Sequence, residues 1–259
     1  MSEFTNIVVS GKSGAGKQPR IDVLVEEYGL EQLSTGDIFR NYLGKFNKYR
    51  YDGDLEIFWN DDKKQFISDD LIAEKLGTNN QDILLGLKAK YFVEKGLFVP
   101  DYITNALFEA FFAKKNYRNQ VLDGYPRTPE QSKFLLDLMQ KHNSKIDFVL
   151  VVDNTDERII SRTIKRRICP KCGKVYHLEY KPPVDGKFCS KCGTEVIQRS
   201  DDTEEKIRSR LREFQEKALP ALNYLKDQGM PVVTVPGHLE NFTSENVRKS
   251  VIDEIKKVF

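Results

Sequence analysis

No apolar run in this 259-residue chain approaches the roughly eighteen residues of a bilayer-spanning helix. Its opening segment, Met-Ser-Glu-Phe-Thr-Asn, lacks the basic start and apolar core of a secretory signal, so a cytoplasmic location is expected. An excess of one charge sign is also missing. The chain sets 41 basic residues against 39 acidic ones, a net +2, which gives no global argument for a nucleic-acid partner or an anionic membrane. There is no internal repeat, low-complexity tract or long linker. Tryptophan occurs once, as Trp59, and histidine three times. His142 and His238 have no partners at ligand spacing and read as surface or loop residues. Cysteine is absent except for Cys169, Cys172, Cys189 and Cys192. With no export signal, metal binding is favoured over disulfides.

The composition is that of an ordinary globular protein, 39% hydrophobic and 31% charged. The length allows one large core plus smaller inserted modules. Three β-branched runs, Ile7 to Ser10, Phe148 to Asp153 and Val232 to Val235, read as buried strands, and Val121 to Asp123 as a fourth. Helix-period segments separate them, which predicts an α/β fold with a parallel sheet. The clearest helix follows Asp201-Asp202, with Ile207, Leu211, Phe214, Ala218, Leu222 and Leu225 at steps of three and four. Asp202 and Glu205 resemble a capping box at its start, and Pro220 is expected to kink it.

Two loops carry phosphate-handling chemistry. Gly11-Lys-Ser-Gly14-Ala15-Gly16-Lys17 directly follows the first strand and has the Walker A spacing. Its glycines let backbone N–H groups converge on phosphate oxygens, the lysine reaches the outer phosphates, and the following helix offers its N-terminus. Where a Ser or Thr hydroxyl usually helps hold magnesium, this chain has Gln18 followed by Pro19, so one contact is missing. The second loop, Asp123-Gly124-Tyr125-Pro126-Arg127-Thr128, is acidic, glycine-hinged and arginine-bearing. Together the loops imply phosphoryl transfer between two nucleotides rather than hydrolysis of one. Cys169-x2-Cys172-x16-Cys189-x2-Cys192 has the spacing of a closed, structural zinc site. Redox chemistry, or a nucleic-acid ribbon suggested by Lys171 and Lys191, are the other readings.

These motifs, together with Leu33-Ser-Thr35-Gly-Asp-Ile-Phe-Arg40 and Arg199-Ser-Asp-Asp202, resemble those of the adenylate kinases, in the same order and over most of the chain. The cysteine module sits where zinc-bearing members of that family have a lid. The resemblance implies a P-loop core at residues 1–40, 89–165 and 200–259. It further implies an enlarged monophosphate-binding module at 41–88 and a zinc lid at 166–199. It implies reversible transfer from MgATP to AMP; a related kinase with GTP or another donor, or a P-loop regulator with a nucleic-acid-binding ribbon, are the alternatives.

Roles follow by the same resemblance. Lys17, Arg127, Arg166, Arg199 and Arg210 act on the transferring phosphate. Gly11, Gly14, Ala15, Gly16, Lys17 and Gln18 hold ATP, joined by Arg162, Arg166, Tyr176 and His177. Thr35, Arg40, Val99, Gly124, Arg127, Gln131, Arg199 and Arg210 hold AMP, with Gln131 reading the adenine edge. Asp123 organises hydrated Mg2+, and the four cysteines hold one Zn2+. A monomer is the default expectation. Chemistry supports the arginines independently, since a planar, permanently charged fork suits crowded phosphate oxygens.

The segment from Tyr42 to Leu87 has no clear counterpart in that family and is roughly three dozen residues too long for an ordinary loop. It holds Tyr42, Phe46, Tyr49, Tyr51, Phe58, Trp59 and Phe66, a supply that predicts a small local core or, second, an oligomer interface.

Overall fold

The computed structural model describes residues 4–95, 97, 99–179, 181–199 and 202–259. Asp201, beside Asp202, lies outside them. Five parallel strands form the central sheet: β1 (Asn6–Ser10), β2 (Glu31–Ser34), β5 (Gln120–Asp123), β6 (Phe148–Asp153) and β9 (Val232–Pro236). Their order across the sheet is β2-β5-β1-β6-β9. Central β1 therefore has β5 on one side and β6 on the other, and the chain leaves this point in opposite directions. Ligands bind at such a switch point, at the carboxyl ends of the strands.

Period-2 alternation sends side chains to two cores. Ile7 and Val9 with Leu150 and Val152 face one layer, while Val8, Leu122 and Val149 face the other. Each such apolar side chain contributes about 1.5–3 kcal/mol by leaving water. The first layer comprises α1 (Lys17–Tyr28), α7 (Asp156–Ile164), α8 (Glu204–Glu213) and α10 (Ser244–Ile255). The second comprises α2 (Thr35–Tyr49), α4 (Gln81–Glu94), α5 (Asp101–Phe112), α6 (Pro129–Lys141) and α9 (Leu219–Asp227).

The expected strands are present within a residue or two. Strand β2 was not expected, because Leu33 is its only buried residue. Two local expectations are corrected. Asp202 does not cap α8: Thr203 does, its side chain accepting from the Lys206 N–H, while Asp202 is wholly buried in ion pairs. Pro220 does not simply kink the helix. A π-helical turn at Phe214–Ala218 precedes it, and α9 then begins with the proline in its first turn, where its missing N–H is tolerated.

The long segment extends two helices rather than forming a separate body. Helix α2 runs through the expected boundary at residue 40, and α4 through the one at 88. They pack closely because Gly86 faces α2: a Cβ there would lie 2.5 Å from the Tyr42 carbonyl oxygen. Between them lie a 3-10 turn (Leu55–Phe58), a hairpin of β3 (Trp59–Asn60) and β4 (Gln65–Phe66), and α3 (Asp69–Leu76). Tyr42, Phe46, Phe58 and Phe66 are buried in one core, and Trp59 stacks on Tyr91 of α4 with centroids 5.2 Å apart. The cysteine module carries its own antiparallel pair, β7 (Arg166–Ile168) and β8 (Val175–His177).

Candidate active site

The loop from Gly11 to Lys17 joins β1 to α1, with positive φ at Gly11, Gly14 and Gly16 (146°, 85° and 104°). That backbone turns successive N–H groups toward one point, an anion-binding concavity. Lys17 folds across it, its Nζ donating to the Gly11 and Lys12 carbonyls at 2.8 and 3.2 Å. Burial pushes the Lys17 ammonium down to about 8; Asp123 opposes this and Arg127 adds to it. The Arg162 guanidinium donates to the Gly14 carbonyl, and Asn154 Nδ2 to the Ala15 carbonyl at 3.3 Å. Arg20, wholly buried behind the loop, donates to the Gly16 carbonyl at 3.3 Å and the Pro236 carbonyl at 2.6 Å.

Opposite lies the end of β5. Thr35 Oγ1 donates to the Asp123 and Gly124 carbonyls at 3.1 and 3.0 Å, tying the start of α2 to that loop. Arg127 Nε donates to the Gly124 carbonyl at 2.8 Å, and Arg40 pairs with Asp37. Gln131 is buried. Its Oε1 accepts from the Arg127 N–H at 2.8 Å and its Nε2 donates to Asp101 Oδ1 at 2.7 Å. Val99 is half-buried against the same core.

A third wall comes from the cysteine module and α8. Arg166 forks onto Asp202 through bonds of 2.9 and 2.5 Å, and Arg210 lies 3.6 Å from the same carboxylate. The three walls enclose a cleft of about 550 Å³. Of the expected residues, Gly11, Lys17, Gln18, Thr35, Arg40, Asp123, Gly124, Arg127, Arg199 and Arg210 line it. Glu213, Phe214 and Lys217 line it too. Sequence reasoning missed these, because the π turn decides which side chains face inward.

Arg162, Arg166, Tyr176, His177, Val99 and Gln131 lie outside the cleft lining. His177 is buried, its Nδ1 accepting from the Glu179 N–H at 3.2 Å, and burial lowers its proton affinity. Tyr176 belongs to the interior of the cysteine module instead. Its hydroxyl donates to Cys189 Sγ at 3.2 Å and accepts from the Ser190 N–H at 2.7 Å.

The four cysteine sulfurs all lie within 4.8 Å of one another, with Cys169–Cys192 at 3.4 Å and Cys172–Cys189 at 3.5 Å. A tetrahedron with metal–sulfur bonds of about 2.3 Å has edges of roughly 3.8 Å, so the donor set fits zinc. Each knuckle closes alike: the Gly173 N–H donates to the Cys169 carbonyl at 3.0 Å and the Gly193 N–H to the Cys189 carbonyl at 2.8 Å. Magnesium prefers oxygen ligands and retains water. Asp123 suits it: one carboxylate oxygen accepts from Gln32, and the other accepts no hydrogen bond among the described residues.

The adenylate kinase family model matches residues 56–230. An adenylate kinase of Symbiobacterium thermophilum is 34% identical over 233 residues, covering 90% of this chain and 91% of its own. One from Oceanobacillus iheyensis is 33% identical over 225 residues, with coverage of 86% and 88%. One from Clostridium kluyveri is 32% identical over 232 residues, with coverage of 89% and 90%. The chain belongs to the adenylate kinase family. It is a nucleotide-binding phosphotransferase of the nucleoside monophosphate kinase type. Among the described residues no helix is long and apolar enough to cross a membrane.

Proposed function

We propose that this chain transfers the terminal phosphoryl group of MgATP to AMP, reversibly, giving two ADP. The observation that carries the reading is the convergence on one cleft of the P-loop Lys17 and Arg127 from the second loop. Arg40, Arg199, Arg210 and Lys217 join them, against only Asp123 and Glu213 of opposite sign among the described residues. One triphosphate alone has little use for so many cations on two separate walls. Two nucleotides meeting end to end do.

Lys17 leaves its loop carbonyls for the outer phosphates of ATP, which regain for it the charge that burial disfavours. Arg40 and Arg127 hold the AMP phosphate. Arg166, Arg199 and Arg210 neutralise the equatorial oxygens of the group in flight. Asp123 would hold a hydrated magnesium ion, which when bound would supply further neutralisation of the phosphate charge. No general base is needed, because an AMP phosphate oxygen is the nucleophile. Gln131 spends one N–H and one lone pair on Asp101 and Arg127, leaving one of each for an adenine edge that both donates and accepts. Arg162 stacks on the ATP base beside His177, and Val99 meets the AMP base through its carbonyl. Closure of the cysteine module, stapled by one structural zinc ion, excludes water that would waste ATP.

This assigns residues 41–88 to the AMP side and 166–199 to the lid of a cytoplasmic, monomeric enzyme. The test is a grid of nucleoside triphosphates against monophosphates, run on the parent, Lys17→Met and Arg127→Ala. Expected is a maximum for ATP with AMP and a barrier raised by about 3 kcal/mol or more in either variant. Near-normal turnover in both variants would contradict the reading, and a maximum with GTP would favour the alternative donor.

A further inference from the structure

Gln18 stands where a Walker loop usually carries a Ser or Thr hydroxyl, and Pro19 after it brings neither hydroxyl nor N–H. The Gln18 amide faces the Gln32 amide in a closed pair. Gln18 Nε2 donates to Gln32 Oε1 at 2.8 Å, and Gln32 Nε2 donates back to Gln18 Oε1 at 3.2 Å. Each nitrogen has a second hydrogen, and each gives it to a carboxylate. Gln18 donates to Asp22 Oδ1 at 2.9 Å, and Gln32 to Asp123 Oδ2 at 3.1 Å. All four donors of the pair are used. Its polarity is fixed as well, since flipping either amide would set a carbonyl oxygen against a carboxylate. The chain of contacts joins the first two turns of α1 to the edge strand β2 and to the end of β5.

We infer that Gln18 and Gln32 are positioning residues for Asp123. They hold one of its carboxylate oxygens so that the other faces the cleft, and they supply the anchoring to α1 that a hydroxyl at position 18 would otherwise give. Asp22 holds the far end. The inference rests on the reading of Asp123 as the magnesium carboxylate.

The test uses Gln32→Leu, Gln18→Leu, the double variant and Asp123→Asn. Manganese stands in for magnesium, with spin resonance following Mn2+ binding to the protein with ATP, and NMR coupling constants reporting the Asp123 rotamer in ligand-free protein. Expected are a single Asp123 rotamer in the parent and averaging in Gln32→Leu. Mn2+ affinity should fall about tenfold in Gln32→Leu and on the order of threefold in Gln18→Leu, whose effect passes through Gln32. The double variant should be no worse than Gln32→Leu, as one path requires. Should a leucine variant fail to fold, Gln32→Met keeps the length and removes the donor without adding charge, with a loss in the same direction. Normal Mn2+ affinity in both glutamine variants beside a loss in Asp123→Asn would overturn the inference alone. Normal affinity in Asp123→Asn would overturn the magnesium reading beneath it as well.

Discussion

Asp202 is buried between two arginines of different elements, accepting two hydrogen bonds from Arg166 on β7 and lying 3.6 Å from Arg210 on α8. One carboxylate thus holds together Arg210, which lines the cleft, and Arg166, which lies behind it. Asp202→Asn keeps the shape and removes the charge, leaving two guanidinium groups facing each other. Their side chains stay a quarter exposed, so water softens the loss; about 2 kcal/mol of stability is expected to go. Denaturant unfolding measures this, and an unchanged midpoint would count against a supporting role for the pair. Turnover should fall as well, because freed arginines lose their fixed aim.

Lys17 makes nucleotide binding pH-dependent. With its ammonium pushed down to about 8 by burial, the ligand-free site is about half neutral at that pH. Phosphate favours the charged form, so ATP binding near pH 8 should take up about half a proton. Calorimetry in buffers of different ionisation enthalpy detects this, and Lys17→Met should abolish it. The sign for stability is the reverse of a salt-bridged lysine. The unfolded chain, at 10.5, binds more protons than the folded one between about 8 and 10.5, so the contribution of this group rises with pH across that window.

The strands legible in the sequence were those with an apolar run, whether central, as β1, β5 and β6, or at the edge with one exposed face, as β9. β1, β5, β6 and β9 show apolar or β-branched runs, whereas β2 is an edge strand with one buried side chain and no pattern to read. The P-loop, the second loop and the cysteine spacing were legible because each is a local backbone device. Asp202 was not. Asp202 and Thr203 both suit a helix cap, and what decides between them is Arg166, which lies 36 residues away. Tyr176 sits in the cysteine module, and only the fold turns its hydroxyl toward Cys189 rather than the cleft. Glu213 and Lys217 reach the cleft through a π turn that no spacing announces.

Zinc is expected at one ion per chain. The module it staples has a small interior of Cys169, Tyr176, Cys189 and Val196, too little apolar area to hold the knuckles closed unaided. Cys172 and Cys192 are half-buried, so a chelator can reach the site. Chelation in reducing buffer should speed hydrogen exchange at the Gly173 and Gly193 amides, which close the two knuckles. Amides of β1 and β6 should stay protected. Elemental analysis without metal, or uniform exchange before and after chelation, would remove zinc from this reading.

Trp59 provides the test of the long segment. Its ring stacks on Tyr91 and meets Phe66 and Phe92 edge-on, with centroids at 5.1 and 5.4 Å. Tyr91 in turn hydrogen-bonds Glu56 at 3.1 Å, and the Lys95 ammonium lies 4.1 Å from its ring centroid. The aromatic supply of the segment is therefore directed onto α4. Phe58 and Phe66 are already buried, which leaves little of that supply for a second copy of the chain. Trp59→Ala should cost about 2–3 kcal/mol, less than a fully buried ring because Trp59 is half-buried. Light scattering should return a monomer near 30.0 kDa for parent and variant alike. If α4 helps shape the AMP side of the cleft, the KM for AMP should rise several-fold in the variant while that for ATP changes little. A mass that halves in the variant would assign the aromatics to an interface instead, and an unchanged melting temperature would deny them the local core.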